Sequence, residues 1–216
     1  MRFTQILYLL SISISLGLSV WCFKGEKSLK VFPYLLFLSL ITEIIVDICY
    51  FILDIDYHII YHIYTPLEYL LFASYFYIYH KSQVIKILVV TSIVIFTLLS
   101  VFISTEIINI NVHPGLNDNV EGFFLIILSS FTLLTINLNP KISIISLPVF
   151  WICLAILIFH SGIFLFNGLY NYLVAKKSVI AQPLHQLIIK NFNYLLYILF
   201  SIAFICSNRM KKYTLQ

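Results

Sequence analysis

Residues 31–53 read VFPYLLFLSLITEIIVDICYFIL. This run decides the fold. Glu43 and Asp47 are the charged residues within it. As a helix it covers about 34 Å at 1.5 Å per residue, and the hydrocarbon core of a bilayer is about 30 Å thick. Backbone polar groups in lipid must be satisfied within the segment itself, so a continuous apolar run of this length is a helix. Alternation of apolar and polar residues, the mark of a barrel strand, is missing.

The same reading extends outward from this run. Spanning windows lie near 4–23, 31–53, 58–79, 84–104, 120–138, 146–172 and 188–207. Loop chemistry separates them: KGEKSLK, LDID, HKSQ, NINVHPGLNDN with its Pro-Gly turn, LNPK, and VAKKSVIAQPLHQ. The sixth window is longest and predicts tilt or an interfacial turn. The chain reads as a single transmembrane domain over 1–216, an all-α bundle of seven helices.

Composition agrees. Of 216 residues, 61% are hydrophobic and 10% charged, and the mean hydropathy is +1.00. Soluble domains carry about 25% charged residues. That gap excludes a soluble enzyme, a disordered chain and a secreted disulfide scaffold. Arg2 and the apolar run after it resemble a signal peptide, but no small-x-small site precedes Lys24, so an uncleaved first helix is expected. Cys22, Cys49, Cys153 and Cys206 lie in or beside apolar runs without a CxxC, which predicts buried thiols acting as small apolar side chains.

The net charge is +4. Its basic residues are scattered, whereas nucleic-acid binding needs a clustered basic face; no nucleic acid is expected as a partner. The charges read instead as a topology signal. Lys24, Lys27, Lys30, Lys81, Lys86, Lys141, Arg209, Lys211 and Lys212 flank one side, and Arg2, Lys176, Lys177 and Lys190 the other. The positive-inside rule puts the N-terminus out and the C-terminus in. Asp54, Asp56, Glu106, Asp118 and Glu121 then fall among the outer loop acids, with Glu26 inside.

Ionisable residues within spans are costly and mark function. In the second span Glu43, Asp47, Tyr50 and Asp54 share a helical face. Glu43 lies about 18 Å from the inner end at 1.5 Å per residue. In the third, Tyr57, Tyr61, Tyr64, Glu68, Tyr75 and Tyr79 line one stripe, and Pro66 removes a backbone hydrogen bond just before Glu68. Glu68 is then about 16 Å from the outer end, nearly level with Glu43. In the sixth, Cys153, His160, Phe164, Asn167 and Asn171 share a face, with His160 near the same depth. The fourth and fifth spans offer Ser, Thr and a terminal Asn. Full ionisation of Glu43, Asp47 and Glu68 would leave an uncompensated negative cluster at low dielectric. Shared protons, a charged His160 or a bound cation must neutralise it.

A plainer role for these carboxyls is hydrogen-bonding between helices, each bond worth about 0.6 kcal/mol. A binding site is the sharper reading, built from Glu43, Asp47, Glu68, His160 and Asn167. His58 and His62 stand one turn apart and can ligate zinc together with Asp54, Asp56 or Asp47. The sequence between them is IIY, without the glutamate of the HExxH metalloprotease motif. No nucleophile elbow, Walker loop or dinucleotide fingerprint occurs.

LITEIIVD, YHIYTPLEYLLFASYF, LPVFWICLAILIFHSGIFLF and NYLLYILFSIAFIC resemble stretches of uncharacterised bacterial seven-helix integral membrane proteins. Related bacterial seven-helix modules serve as inputs to histidine kinases, and the resemblance implies a sensor-like part without the kinase. By size and hydropathy alone the chain is also similar to membrane accessory proteins of RNA-targeting CRISPR systems. The expectation is a bacterial inner-membrane sensor or accessory protein, not an enzyme, signalling through a protein partner in the membrane. An intramembrane metal-dependent hydrolase using His58 and His62, and an oligomeric pore, are the alternatives.

Overall fold

Every apolar run of the sequence forms a helix. The computed structural model describes residues 3–23, 26–107, 114–136, 143–176 and 180–214. Arg2, Lys24, Lys141 and Lys177, used above to orient the chain, lie outside them, as do the side chains of Asn171, Lys211 and Lys212. Among the described residues seven α-helices form: α1 (Phe3–Trp21), α2 (Phe32–Ile48), α3 (His58–Tyr79), α4 (Gln83–Phe102), α5 (Gly115–Leu134), α6 (Pro148–Ala175) and α7 (Ala181–Thr214). Among the described residues there is no strand.

Among the described residues four segments are long and apolar enough to cross a membrane: Ser28–Leu53, Gln83–Ile107, Pro148–Asn167 and Leu187–Met210. Gln5–Trp21 is a shorter apolar helix. α3 is less apolar because tyrosines run through it, and α5 because it opens on GLNDNVEG.

Local signals set several ends. Pro33 occupies the first turn of α2, where its missing N–H costs nothing. Pro114 precedes α5, and α6 begins on Pro148. Pro66 lies inside α3, which continues through it. α2 ends in a wide i→i+5 turn over Cys49–Leu53, closed by Asp54 with φ of 51°. A short polar side chain tolerates that left-handed geometry. α4 ends in a second wide turn, Ile103–Ile107.

Two boundaries differ from expectation. α5 starts at Gly115 rather than near 120, and α7 at Ala181 rather than near 188. Polar residues that read as loop are helical at both places; in α5, Asn117 and Glu121 are buried in the bundle rather than facing water.

α1 packs on α2 and α7, α2 on α3, α3 on α4 and α5, α5 on α6, and α6 on α7. These contacts close a ring in the order α1, α2, α3, α5, α6, α7. α4 lies outside it, against α3 and α5. Successive helices run in opposite directions. Gln5 at the start of α1 meets Asp47 at the end of α2, whereas Cys22, past the other end of α1, donates to the Phe204 carbonyl late in α7.

The bundle therefore has two unlike halves. One is aromatic. Phe32, almost wholly buried, meets Phe72, Tyr75, Phe200 and Phe204 with ring centroids 5.0–6.4 Å apart. Nearby, Tyr69 donates to Ser92 at 2.8 Å and ties α3 to α4. Cys22, Cys49 and Cys153 are buried free thiols, and Cys206 is partly exposed. The other half is acidic.

His80 closes the aromatic half at the end of α3. Its Nε2 is 2.9 Å from Thr132 Oγ1, and Thr132 spends its own hydrogen on the Leu128 carbonyl. His80 must then donate, so its Nε2 carries the proton. Burial holds the His80 pKa below the ordinary histidine value. Unfolded, the ring takes up its second proton near pH 6.5 or so, at about 6.5; folded, it does so only at lower pH. The stability contributed by neutral His80 is complete above that range and is lost as pH falls through the folded value. Thermal melts of wild type should drop on acidification, and His80→Gln should lose part of that drop; an unchanged slope would remove the assignment.

Candidate functional site: the acidic half of the bundle

The acidic half is built where α2 ends and α3 and α5 begin. Glu43 accepts hydrogen bonds from the hydroxyls of Tyr8 on α1 and Tyr61 on α3. Asp47, one turn on, is held by the Gln5 amide, whose Nε2 lies 3.1 and 3.2 Å from its two oxygens. Lys190 on α7 is the cation that faces both carboxyls. Glu68 accepts from Tyr64 one turn earlier on α3. Glu43 and Glu68 are both half-buried, so the acidic half is not sealed at their level.

The two glutamates do not touch through their own oxygens. A series of hydroxyls joins them. Tyr8, beside Glu43, packs on Tyr197 with ring centroids 6.1 Å apart. Tyr197 lies near Ser39, Ser39 Oγ is 2.8 Å from Tyr64 OH, and Tyr64 reaches Glu68. α1, α7, α2 and α3 each contribute a member.

A second set of contacts runs along the α3–α5 seam. His62 Nδ1 lies 2.8 Å from Ser104 Oγ, and Asn117 Nδ2 donates to the same oxygen at 3.0 Å. Ser104 sits in the wide turn that ends α4. One turn further in, Thr65 donates to Asp118 at 3.2 Å. Beyond that, Tyr69 packs on Phe124 with centroids 6.0 Å apart. Glu68 and Glu121 lie between those two contacts, on the same seam and at the same level. Glu121 is 3% exposed, and its Oε1 has no hydrogen-bond partner.

The structure thus separates the five residues expected to form one pocket. Glu43 and Asp47 sit with Gln5, Tyr8, Tyr61 and Lys190. Glu68 belongs to the α3–α5 seam and is linked to Glu43 through hydroxyls. His160 is buried against α5, edge-on to Phe72, with Nδ1 3.1 Å from where a side chain on Gly122 would begin. It lies against α5 rather than beside Glu43 and Asp47. Asn167 donates to Asn119 at 2.7 Å on the α5–α6 seam. His58 lies at the start of α3 with its ring beside Tyr57. Among the described residues no group of three or more His, Cys, Asp or Glu side chains can hold a metal ion. A zinc centre on His58 and His62 therefore finds no third such ligand there, and His62 is already engaged by Ser104.

Sequence reading missed Gln5, Tyr8, Asn117, Asp118, Glu121 and Lys190. Asp118 and Glu121 were placed in a loop, and Lys190 at a helix edge. The overlooked signal was spacing. Asn117 and Glu121 stand four apart, and Lys190, Tyr194 and Tyr197 follow a helical period. No protein-family model, curated protein or solved structure matches this chain.

Proposed function

We propose that this chain is a seven-helix integral membrane protein of the bacterial inner membrane, N-terminus out and C-terminus in, that binds a proton or small cation in its acidic half. It acts as a non-enzymatic sensor or accessory protein and passes its state to a protein partner through helix contacts. The observation that carries this reading is the charge balance. Glu43, Asp47, Glu68, Asp118 and Glu121 gather in one half, and among the described residues Lys190 faces Glu43 and Asp47 alone of these acids. Embedded carboxyls of this kind mark ion and proton pathways.

Hydrogen counting sharpens the reading. Ser39 spends its hydrogen on the Leu35 carbonyl at 3.0 Å, so Tyr64, 2.8 Å away, is the donor between them. Tyr64 then has no hydrogen left for an ionised Glu68, and a proton on Glu68 supplies the missing one. Gaining or losing that proton therefore reorders groups on α2 and α3 together.

The test is melting temperature against pH for protein in mild detergent. Wild type should show a pH response that Glu43→Gln and Glu68→Gln each flatten, with Tyr197→Phe weakening it. Curves of the glutamine variants that run parallel to wild type would refute proton binding by these residues.

A further inference from the structure

We infer that the α3–α5 seam holds a monovalent cation, of the size of sodium, between Glu68, Glu121 and the side-chain amide of Asn117. This deepens the reading above and rests on it, since it places one ligand in the acidic half. Asn117 is fully buried. Its Nδ2 is committed to Ser104, and its Oδ1 has no hydrogen-bond partner. Glu121, one turn on along the same face, brings a second buried oxygen without a partner. Two buried acceptors are thus left over on one helix face. Leaving such oxygens unsatisfied is expensive. Each needs a positive or donating neighbour.

Among the described residues no hydrogen-bond donor reaches either oxygen. Thr65 uses its hydroxyl on the Tyr61 carbonyl and on Asp118. Tyr69 donates to Ser92. Ser104 accepts from Asn117 at 3.0 Å and lies 2.8 Å from His62 Nδ1. Facing the pair from α3 is a further acceptor, Glu68. The level of Glu68 is fixed by the contacts on either side, Thr65 with Asp118 and Tyr69 with Phe124.

The donor set selects the ion. It consists of carboxylate and amide oxygens, which suit hard cations. Zinc and its relatives prefer nitrogen and sulfur. Calcium takes six to eight or so oxygens, about 6–8, and no group of three acidic, histidine or cysteine side chains converges among the described residues. A monovalent ion accepts neutral oxygens and asks for less charge. It would pin α5 to α3 beside the wide turn that carries Ser104, so occupancy would be felt by α4 as well.

Melting of the full chain in mild detergent tests this. Chloride salts of lithium, sodium, potassium and choline are compared at one pH and one ionic strength. Stabilisation by a ligand grows as the logarithm of its concentration above Kd, so sodium should raise Tm progressively where choline does not. Glu121→Gln and Asn117→Leu should each need about tenfold more sodium for the same shift. His80→Gln, in the aromatic half, should keep the wild-type sodium response. If Glu121→Gln does not fold, Glu121→Asp serves, since it keeps the charge and withdraws the oxygen. Equal melting in all four salts overturns the site, and so does a sodium shift that survives in both seam variants. A pH response that Glu43→Gln removes, without any sodium response, would leave the proposed function standing and this inference refuted.

Discussion

Phe32→Ala should destabilise the bundle by about 3–5 kcal/mol. Phe32 is 1% exposed and touches four rings, on α3 and α7. Truncation removes those contacts and leaves a void walled by aromatic side chains. Those walls are held from both sides. Phe200 packs on Phe72 as well as on Phe32, and Tyr75 stacks on Tyr79. The void cannot collapse cheaply. Lipid cannot fill it either, because it lies within the ring of helices. Denaturant titration in detergent micelles measures the loss. Phe32→Leu, which keeps much of the volume, should cost clearly less. Equal losses for the two variants would mean that something other than packing decides, and a loss below about 1 kcal/mol would mean that the aromatic half is not the stable part of the fold.

Gly122→Leu is the second large effect, and it acts on the acidic half. A side chain at Gly122 would begin 3.1 Å from His160 Nδ1 and 3.2 Å from His160 Cβ. The second of those atoms is attached directly to the α6 backbone, so rotation of the ring does not clear it. The Cβ alone asks for a shift of a few tenths of an ångström, and the rest of a leucine side chain forces α5 and α6 apart. Overpacking of this kind costs about 1–3 kcal/mol. It should also disturb the pairing of Asn167 with Asn119 further along the same seam. Alanine at the same position is a different case. It regains about 0.8–1.0 kcal/mol of helix propensity, which offsets much of its smaller clash, so Gly122→Ala should lie near wild type. Gly17, with nothing within 4 Å of its added carbon, is the control: Gly17→Ala should be neutral or stabilising. A leucine variant at 122 as stable as the alanine variant would contradict the close approach of the two helices.

The positions of the helices were legible because apolar length is a local property. α3 was expected over 58–79 and is found there. Glu43 and Asp47 were legible for the same reason: a carboxyl inside an apolar run stands out. The misplaced residues fail that local test. Asp118 and Glu121 lie among Asn and Gly, and Lys190 follows a run rich in polar residues. In sequence they look solvated. α5 begins earlier than hydropathy suggests because Asn117 and Glu121 are buried in the bundle, not left in water. His160 shows the converse. Depth along the chain put it level with Glu43, but depth does not fix azimuth, and its helix turns it towards Gly122.

What the residue order determined alone is the set of seven helices, since an apolar segment can meet its backbone hydrogen-bonding needs only within itself. It also determined that acids are buried among them. Which acid meets which partner was decided by tertiary structure. Ring order places α3 between α2 and α5, and that brings Glu68 to Glu121 on one side and, through the hydroxyls of Ser39 and Tyr64, towards Glu43 on the other. Partners of this kind, such as Ser39 with Tyr64 and Gln5 with Asp47, stand 25 and 42 positions apart, at separations where periodicity carries no information and packing geometry alone chooses.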